Sequence, residues 1–252
     1  MAIEKDKNVN RIFTEEQQNE LSKTQYDALK IFFPESRQMK VRVTWLTPAL
    51  GMSPNDKDIL AEFIASKAPD AKSREEEIAA VGTDAVEEKS ITVFPRNEAG
   101  NPCCWDYQWR GYFKDSCGLL SRAAGKDANG KKKGTTKSAK MTAYKKVIDG
   151  SIMTYPRMIE VHLPEGEEMG MRSRSLRCET AQGPRNALAK SEELPVGTYA
   201  EFYIVCLNPS DCDVVEEWLN YGCLHGFSQW RNAGFGCFKW EKLEDWTRTG
   251  DL

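Results

Sequence analysis

The sequence is poor in histidine, with only His162 and His225 in 252 residues. None of its eight cysteines forms a C-x-x-C pair. A zinc site therefore has little to draw on, and neither a metal nor a cofactor is expected. No Walker A loop, G-x-S-x-G elbow, H-E-x-x-H motif or EF-hand loop appears, so the reactions and ions those motifs serve lack a signature here. No apolar run approaches the roughly 18–20 residues needed to cross a bilayer. The opening "MAIEKDKNVNRIF" lacks the basic-then-apolar layout of a signal peptide. These absences predict a cytoplasmic protein whose thiols are reduced and buried, Cys206 in "FYIVCL" being one example.

What is present is ordinary in amount and uneven in place. Hydrophobic residues make up 40% and charged residues 29%, as in a soluble globular protein with one sizeable core or two small ones. The net charge is −3. Residues 101–190, however, carry 17 Lys/Arg against 9 Asp/Glu, while residues 191–252 carry 4 against 11. Such segregation is how an acidic protein can bind a polyanion.

Along the chain, residues 1–38 read as a helical or flexible extension, with one amphipathic helix that "FPES" breaks. "MKVRVTWL" (39–46) alternates as the first firm strand. Helices are expected over "KDILAEFIASKA" (57–68) and "SREEEIAAVG" (73–82), and a short strand at 90–95. Residues 105–122 place Trp105, Trp109, Tyr112, Phe113, Leu119 and Leu120 at helical spacing and read mostly as a buried helix, despite a glycine at 111 that costs about 1 kcal/mol against alanine. Close approach of another backbone would account for that glycine. Residues 123–140, rich in Gly and Lys, read as a mobile loop, and 139–149 as a short basic helix. Strands follow at 157–163, 172–181 and 198–207, then a helix over 211–222 and a last strand at 235–240.

Without the insertions the order is βαββαβ, with 173–180 extended by 198–207 as the third strand. This is an α+β, ferredoxin-like (RRM-like) core with large insertions and an N-terminal helical extension. The expected organisation is an extension at 1–38 and a single domain at 39–252, with insertions at 54–100 and 123–150. The open sheet face and its loops are left for a ligand.

The stretch "QWRNAGFGCFKW" (229–240) admits two readings: a tight turn whose aromatics pack in the core, or a bare backbone that approaches a ligand. Its context adds information. "RSLRCETAQGPRNALAKSEELPVGTYAEFYIVCL" precedes it, with Leu194-Pro195-Val196-Gly197-Thr198 and Phe202, and Gly226 through Phe238 form a glycine-rich run into the last strand. This half resembles the end of the RAMP superfamily, the RNA-binding proteins of CRISPR effector complexes, and is most similar to their backbone subunits. Gly111 and Lys114 stand where that family has a segment opening the first helix, although its serines are missing. The resemblance covers roughly residues 40–46 and 100–240, and the chain also looks like a stand-alone phage or prophage protein.

The resemblance implies binding of single-stranded RNA, with subunits repeating along the strand as a homo-oligomer, or engagement of a CRISPR effector complex in a bacterial host. In that setting the Gly234 and Gly236 amides can face a phosphate, Arg231 can add a bidentate contact, and Trp230 or Phe235 can stack on a base. Arg172, Arg174, Arg177 and Arg185 on strand residues, and Lys131, Lys132 and Lys133 in the loop, are the other candidates. Some relatives cleave RNA with a histidine or with an aspartate after the first strand, which points to His225, Asp56 and Asp58. The leading expectation is a non-enzymatic RNA binder. The alternatives are a metal-independent endoribonuclease, and an interaction module or CRISPR inhibitor without nucleic-acid binding, which the acidic C-terminal third favours.

Overall fold

The computed structural model describes residues 15–54, 91–123, 125–126, 129, 132–133, 136–180 and 183–251, and the side chains from 23 onward except at 54, 125–126, 132–133, 176–180 and 183–188. The helices expected at 57–68 and 73–82, Asp56, Asp58 and Lys131 lie outside the described residues. So do the side chains of Lys132, Lys133, Arg177 and Arg185.

In chain order the elements are α1 (Glu15–Phe32), β1 (Arg37–Trp45), β2 (Ala49–Leu50), β3 (Ser53–Pro54), β4 (Thr92–Val93), β5 (Cys103–Trp105) and α2 (Asp106–Arg122). Then come β6 (Gly125–Lys126), β7 (Lys132–Lys133), α3 (Tyr144–Ser151), β8 (Ile152–Tyr155), β9 (Met158–His162), β10 (Gly170–Thr180) and β11 (Gly183–Leu194). The chain closes with β12 (Tyr199–Cys206), α4 (Cys212–Tyr221) and β13 (Phe238–Arg248). The main sheet runs β13-β1-β12-β9-β5, with β8 also on β12, and its pairs are antiparallel. With α2 following β1 and α4 following β12, the fold is α+β and ferredoxin-like.

One expected strand joins a different sheet. Residues 173–180 do not continue into 198–207. They form β10, which turns back into β11 over eleven residue pairs from Gly170↔Glu193 to Thr180↔Gly183. β11 is then joined by β2 and β4. The third core strand is β12 alone, and the β10–β11 hairpin is an insertion before it. Alternation in a sequence marks a strand but not its neighbours, so the hairpin and the core strand read as one.

The core follows from the periodicities. Met39, Val41, Val43 and Trp45 alternate to one side of β1 and are fully buried. Trp109, Tyr112, Phe113 and Cys117 of α2 and Val215, Trp218 and Leu219 of α4 meet them. Ser116 and Cys117 face inward on α2, whereas Leu119, expected in the core, is 36% exposed. The α2 start is set by the Trp105 N–H, which donates to the Gln108 side chain at 2.9 Å. Asp106 in its first turn pairs with Arg110 at 2.8 Å. Trp109 is the keystone: its ring lies 4.6 Å from Phe202 of the sheet and 4.1 Å from Phe227 of the loop after α4. Tyr112 donates its hydroxyl to the Trp218 carbonyl at 2.8 Å and so ties α2 to α4.

Residues 33–36, just before β1, are tied to the end of β13. The Thr249 and Gly250 amides donate to Ser36 and Pro34 carbonyls at 3.0 and 3.1 Å, and Leu29 of α1 is buried. Six of the cysteines (103, 104, 117, 206, 212 and 237) are buried free thiols and Cys223 is an exposed one. Burial holds the Cys117 thiol up to about 11.

Candidate nucleic-acid interface

Helix α2 presents a second row of residues away from the core. Tyr107, Gly111 and Asp115 recur every four positions and, with Gln108 and Leu119, wall one side of an open cleft of about 1190 Å³. The other walls are Met52, Ser53, Thr92, Arg174 of β10 and the loop residues His225 to Asn232. Gly111 has a different reason from the one expected. A Cβ placed there would meet no atom of the described residues within 4 Å, so none of their backbone approaches it and the bare position opens the cleft wall.

The loop after α4 is fixed by glycines at its neck. A Cβ on Gly226 would stand 2.2 Å from the Phe235 carbonyl oxygen, and one on Gly236 only 1.7 Å from that of Phe227. The Phe227 amide donates to the Gly236 carbonyl at 2.8 Å across this crossing. Between these points Ser228, Trp230 and Gly234 have φ of 105°, 59° and 83°, the left-handed region that side chains disfavour. The glycines therefore shape the loop, and their amides are already used. Gly236 N–H donates to the Pro48 carbonyl at 2.8 Å and Gly234 N–H to that of Arg231 at 2.9 Å. The expected phosphate contact through those two amides is not available in this conformation.

The aromatic and basic residues of the two candidate stretches meet as a ladder. Trp230 and Phe235 stack with ring centroids 5.0 Å apart and planes 17° from parallel. The Arg172 guanidinium lies 5.5 Å from the Phe235 ring, and that of Arg174 lies 5.4 Å from the Trp230 ring. Arg172 is held by two hydrogen bonds to Glu193 on β11, which raise its pKa. Arg174 is only 9% exposed, and its one hydrogen-bond partner among the described residues is the Gln229 side chain. Its Nε and Nη1 are buried with no partner among the described residues, and burial lowers its pKa. Beside this ladder, Asp115 Oδ2 stands 2.6 Å from His225 Nε2 and 3.1 Å from Arg231 Nη1, while the His225 ring stacks on Tyr221 at 5.4 Å.

Arg172, Arg174, Trp230, Arg231, Phe235 and His225 are thus brought to one rim, from segments about 55 residues apart. Lys114, matched to the family's helix segment, instead pairs with Asp149 at 2.7 Å. His162 stacks on Tyr199 at 4.8 Å on the sheet. Sequence reasoning missed Asp115, Glu193 and Gln229, the groups that hold the candidate cations and histidine. Only Asp115 had a signal, its four-residue spacing from Gly111 and Tyr107.

No family model matches the sequence, and no curated protein matches it either. A solved structure does. A chain of the type III-B Cmr-beta complex bound to cognate target RNA superposes on 95% of this chain and on 69% of its own length, with a TM-score of 0.51 and 9% identity. The two share a fold. At 9% identity the correspondence is one of architecture.

Proposed function

We propose that the protein binds single-stranded RNA along the rim formed by the β10 arginines and the loop after α4. The observation that carries this reading is Arg174, a guanidinium nine-tenths buried beside Trp230 with two N–H-bearing nitrogens unpartnered. A buried cation lacking acceptors is costly, and an acceptor from a bound ligand removes that cost. The Trp230–Phe235 stack and Arg231 add an aromatic surface and a second cation, the pairing that single-stranded nucleic acid uses. The structural neighbour's bound target RNA agrees with this choice of partner.

Fluorescence anisotropy with a labelled unstructured RNA tests it. Affinity is expected to fall with salt, each neutralised phosphate adding about −0.7 to the log–log slope. Arg172→Ala, Arg174→Ala and Arg231→Ala combined should weaken binding by at least about tenfold. Binding that is indifferent to both salt and the triple substitution overturns the assignment.

A second reading has its own observation, the 2.6 Å contact that orients the His225 imidazole on Asp115 beside Arg231. A carboxylate-oriented histidine suits a general base in metal-independent RNA cleavage. Cleavage of labelled RNA in EDTA that His225→Ala removes would support it, and intact RNA in that assay sets it aside.

A further inference from the structure

We infer that the cleft beneath the ladder receives one unstacked base of the bound strand, guanine in preference to the other bases. This rests on the RNA-binding reading and goes beyond it by naming what is read. Two independent features point to an occupant.

The first is Arg174. Its Nη2 is engaged by Gln229, and its Nε and Nη1 are not engaged by any group among the described residues. Either edge of the guanidinium pairs Nη2 with one of these buried nitrogens, so the fork can meet a second acceptor set once the Trp230 or Gln229 side chain turns aside. Guanine N7 and O6 are adjacent acceptors and match a guanidinium fork, whereas adenine sets an N–H donor beside N7 and the pyrimidines have no N7.

The second is Gly111. An interior helical glycine costs about 1 kcal/mol relative to alanine, and here no atom of the described residues needs the space. A bare stretch of helix between Tyr107 and Asp115 lets a flat ring lie against the backbone, which a side chain at 111 would prevent.

The charge of the cleft favours a base over a phosphate. Asp115 lines it and is 36% exposed, and Arg231 is committed to Asp115. A carboxylate repels phosphate but accepts from the N1–H and N2–H₂ of guanine. Both contacts of Asp115 fall on Oδ2, and Oδ1 has no hydrogen bond among the described residues. Tyr107, Leu119 and Trp230 supply apolar surface around these polar groups, as a small-molecule pocket requires.

The test compares labelled decauridylate with strands carrying one central guanosine, adenosine or 7-deazaguanosine. The guanosine strand should bind about tenfold or more tighter than decauridylate, and adenosine and 7-deazaguanosine should lose most of that gain. Gly111→Leu should return the guanosine strand to the decauridylate affinity. The same substitution should raise the melting temperature, because leucine is the better helix former, so the loss cannot be assigned to unfolding. Arg174→Met should abolish the preference as well. Equal affinity for all four strands, or a preference that survives Gly111→Leu in a folded protein, overturns the inference while leaving RNA binding intact. Failure of every strand to bind overturns both.

Discussion

The cleft rim and the open face of the main sheet contain the same kinds of residue and use them differently. On the sheet, Arg42 donates through Nε to Glu201 at 2.9 Å and reaches Glu241 at 3.4 Å. Lys40 meets Glu201 at 3.4 Å. These cations also lie over Tyr199 and Tyr203, at 5.0 and 5.7 Å from the ring centroids. Glu241 and Glu244 stand opposite Arg42 and Lys40 on β13, so charge on this face is matched pair by pair. At the cleft, Arg174 has an aromatic neighbour and an amide but no carboxylate. A cation over a ring is therefore not in itself a sign of a ligand site. What separates Arg174 from the sheet cations, and from Arg172 and Arg231 on its own rim, is that folding has not supplied its counter-charge. The sheet face expected to receive a ligand is self-neutralised, and the loop amides expected to meet a phosphate donate to the Arg231 and Pro48 carbonyls.

Experiments can break this contrast. The largest effect should come from Trp109, which both regions share as a support through Phe202 and Phe227. Trp109→Ala should destabilise the protein by about 3–5 kcal/mol in urea denaturation, from lost transfer energy and the cavity left behind. Next come the loop glycines. Gly236→Ala should cost about 2–3 kcal/mol, since its Cβ meets the Phe227 carbonyl oxygen and its φ is 73°. Gly234→Ala, with φ of 83° but open space around it, should cost only about 1 kcal/mol. Equal costs would mean that the neck is not the tight crossing described.

Smaller effects should mark the sheet face. Lys40→Ala with Arg42→Ala should change RNA affinity less than about twofold, because surface pairs that are already neutralised have little to give. A tenfold loss would move the interface onto the sheet. Glu201 carries the pH signature: hydrogen bonding to Arg42 holds its carboxyl below the ordinary 4.5. Its stabilisation is present above that ordinary value and is lost as pH falls through the lowered one. Glu201→Gln should cost less than about 1 kcal/mol at pH 7 and nothing once the wild-type carboxyl is protonated. Thermal melts from pH 7 down to 2.5 would show the two curves converge.

The core strands and helices were legible because their periodicities are strong. "MKVRVTWL" alternates, "DVVEEWLNY" carries an apolar stripe, and their order dictates the sheet. The β10–β11 hairpin was not, because strand partners are set by tertiary pairing and "TAQG" is a weak turn signal. Gly111 and Leu119 were misassigned for one reason. A helical row that lines a cleft has the same spacing as a row that fills a core, and only the presence of atoms opposite distinguishes them. Arg172, Arg174 and Arg231 were legible as cations, but the difference between a paired and an unpaired cation lies in Glu193, Gln229 and Asp115, which are distant in sequence.

The neck at Gly226 and Gly236 also has a kinetic consequence. With the two backbone segments in contact and hydrogen-bonded, the loop that carries Trp230 and Arg231 loses its conformational entropy when the protein folds, before any strand arrives. Binding then draws little on ordering the receptor. Association measured by stopped-flow should proceed in a single phase whose rate rises linearly with RNA concentration, and differences between strands should appear in how long each one stays.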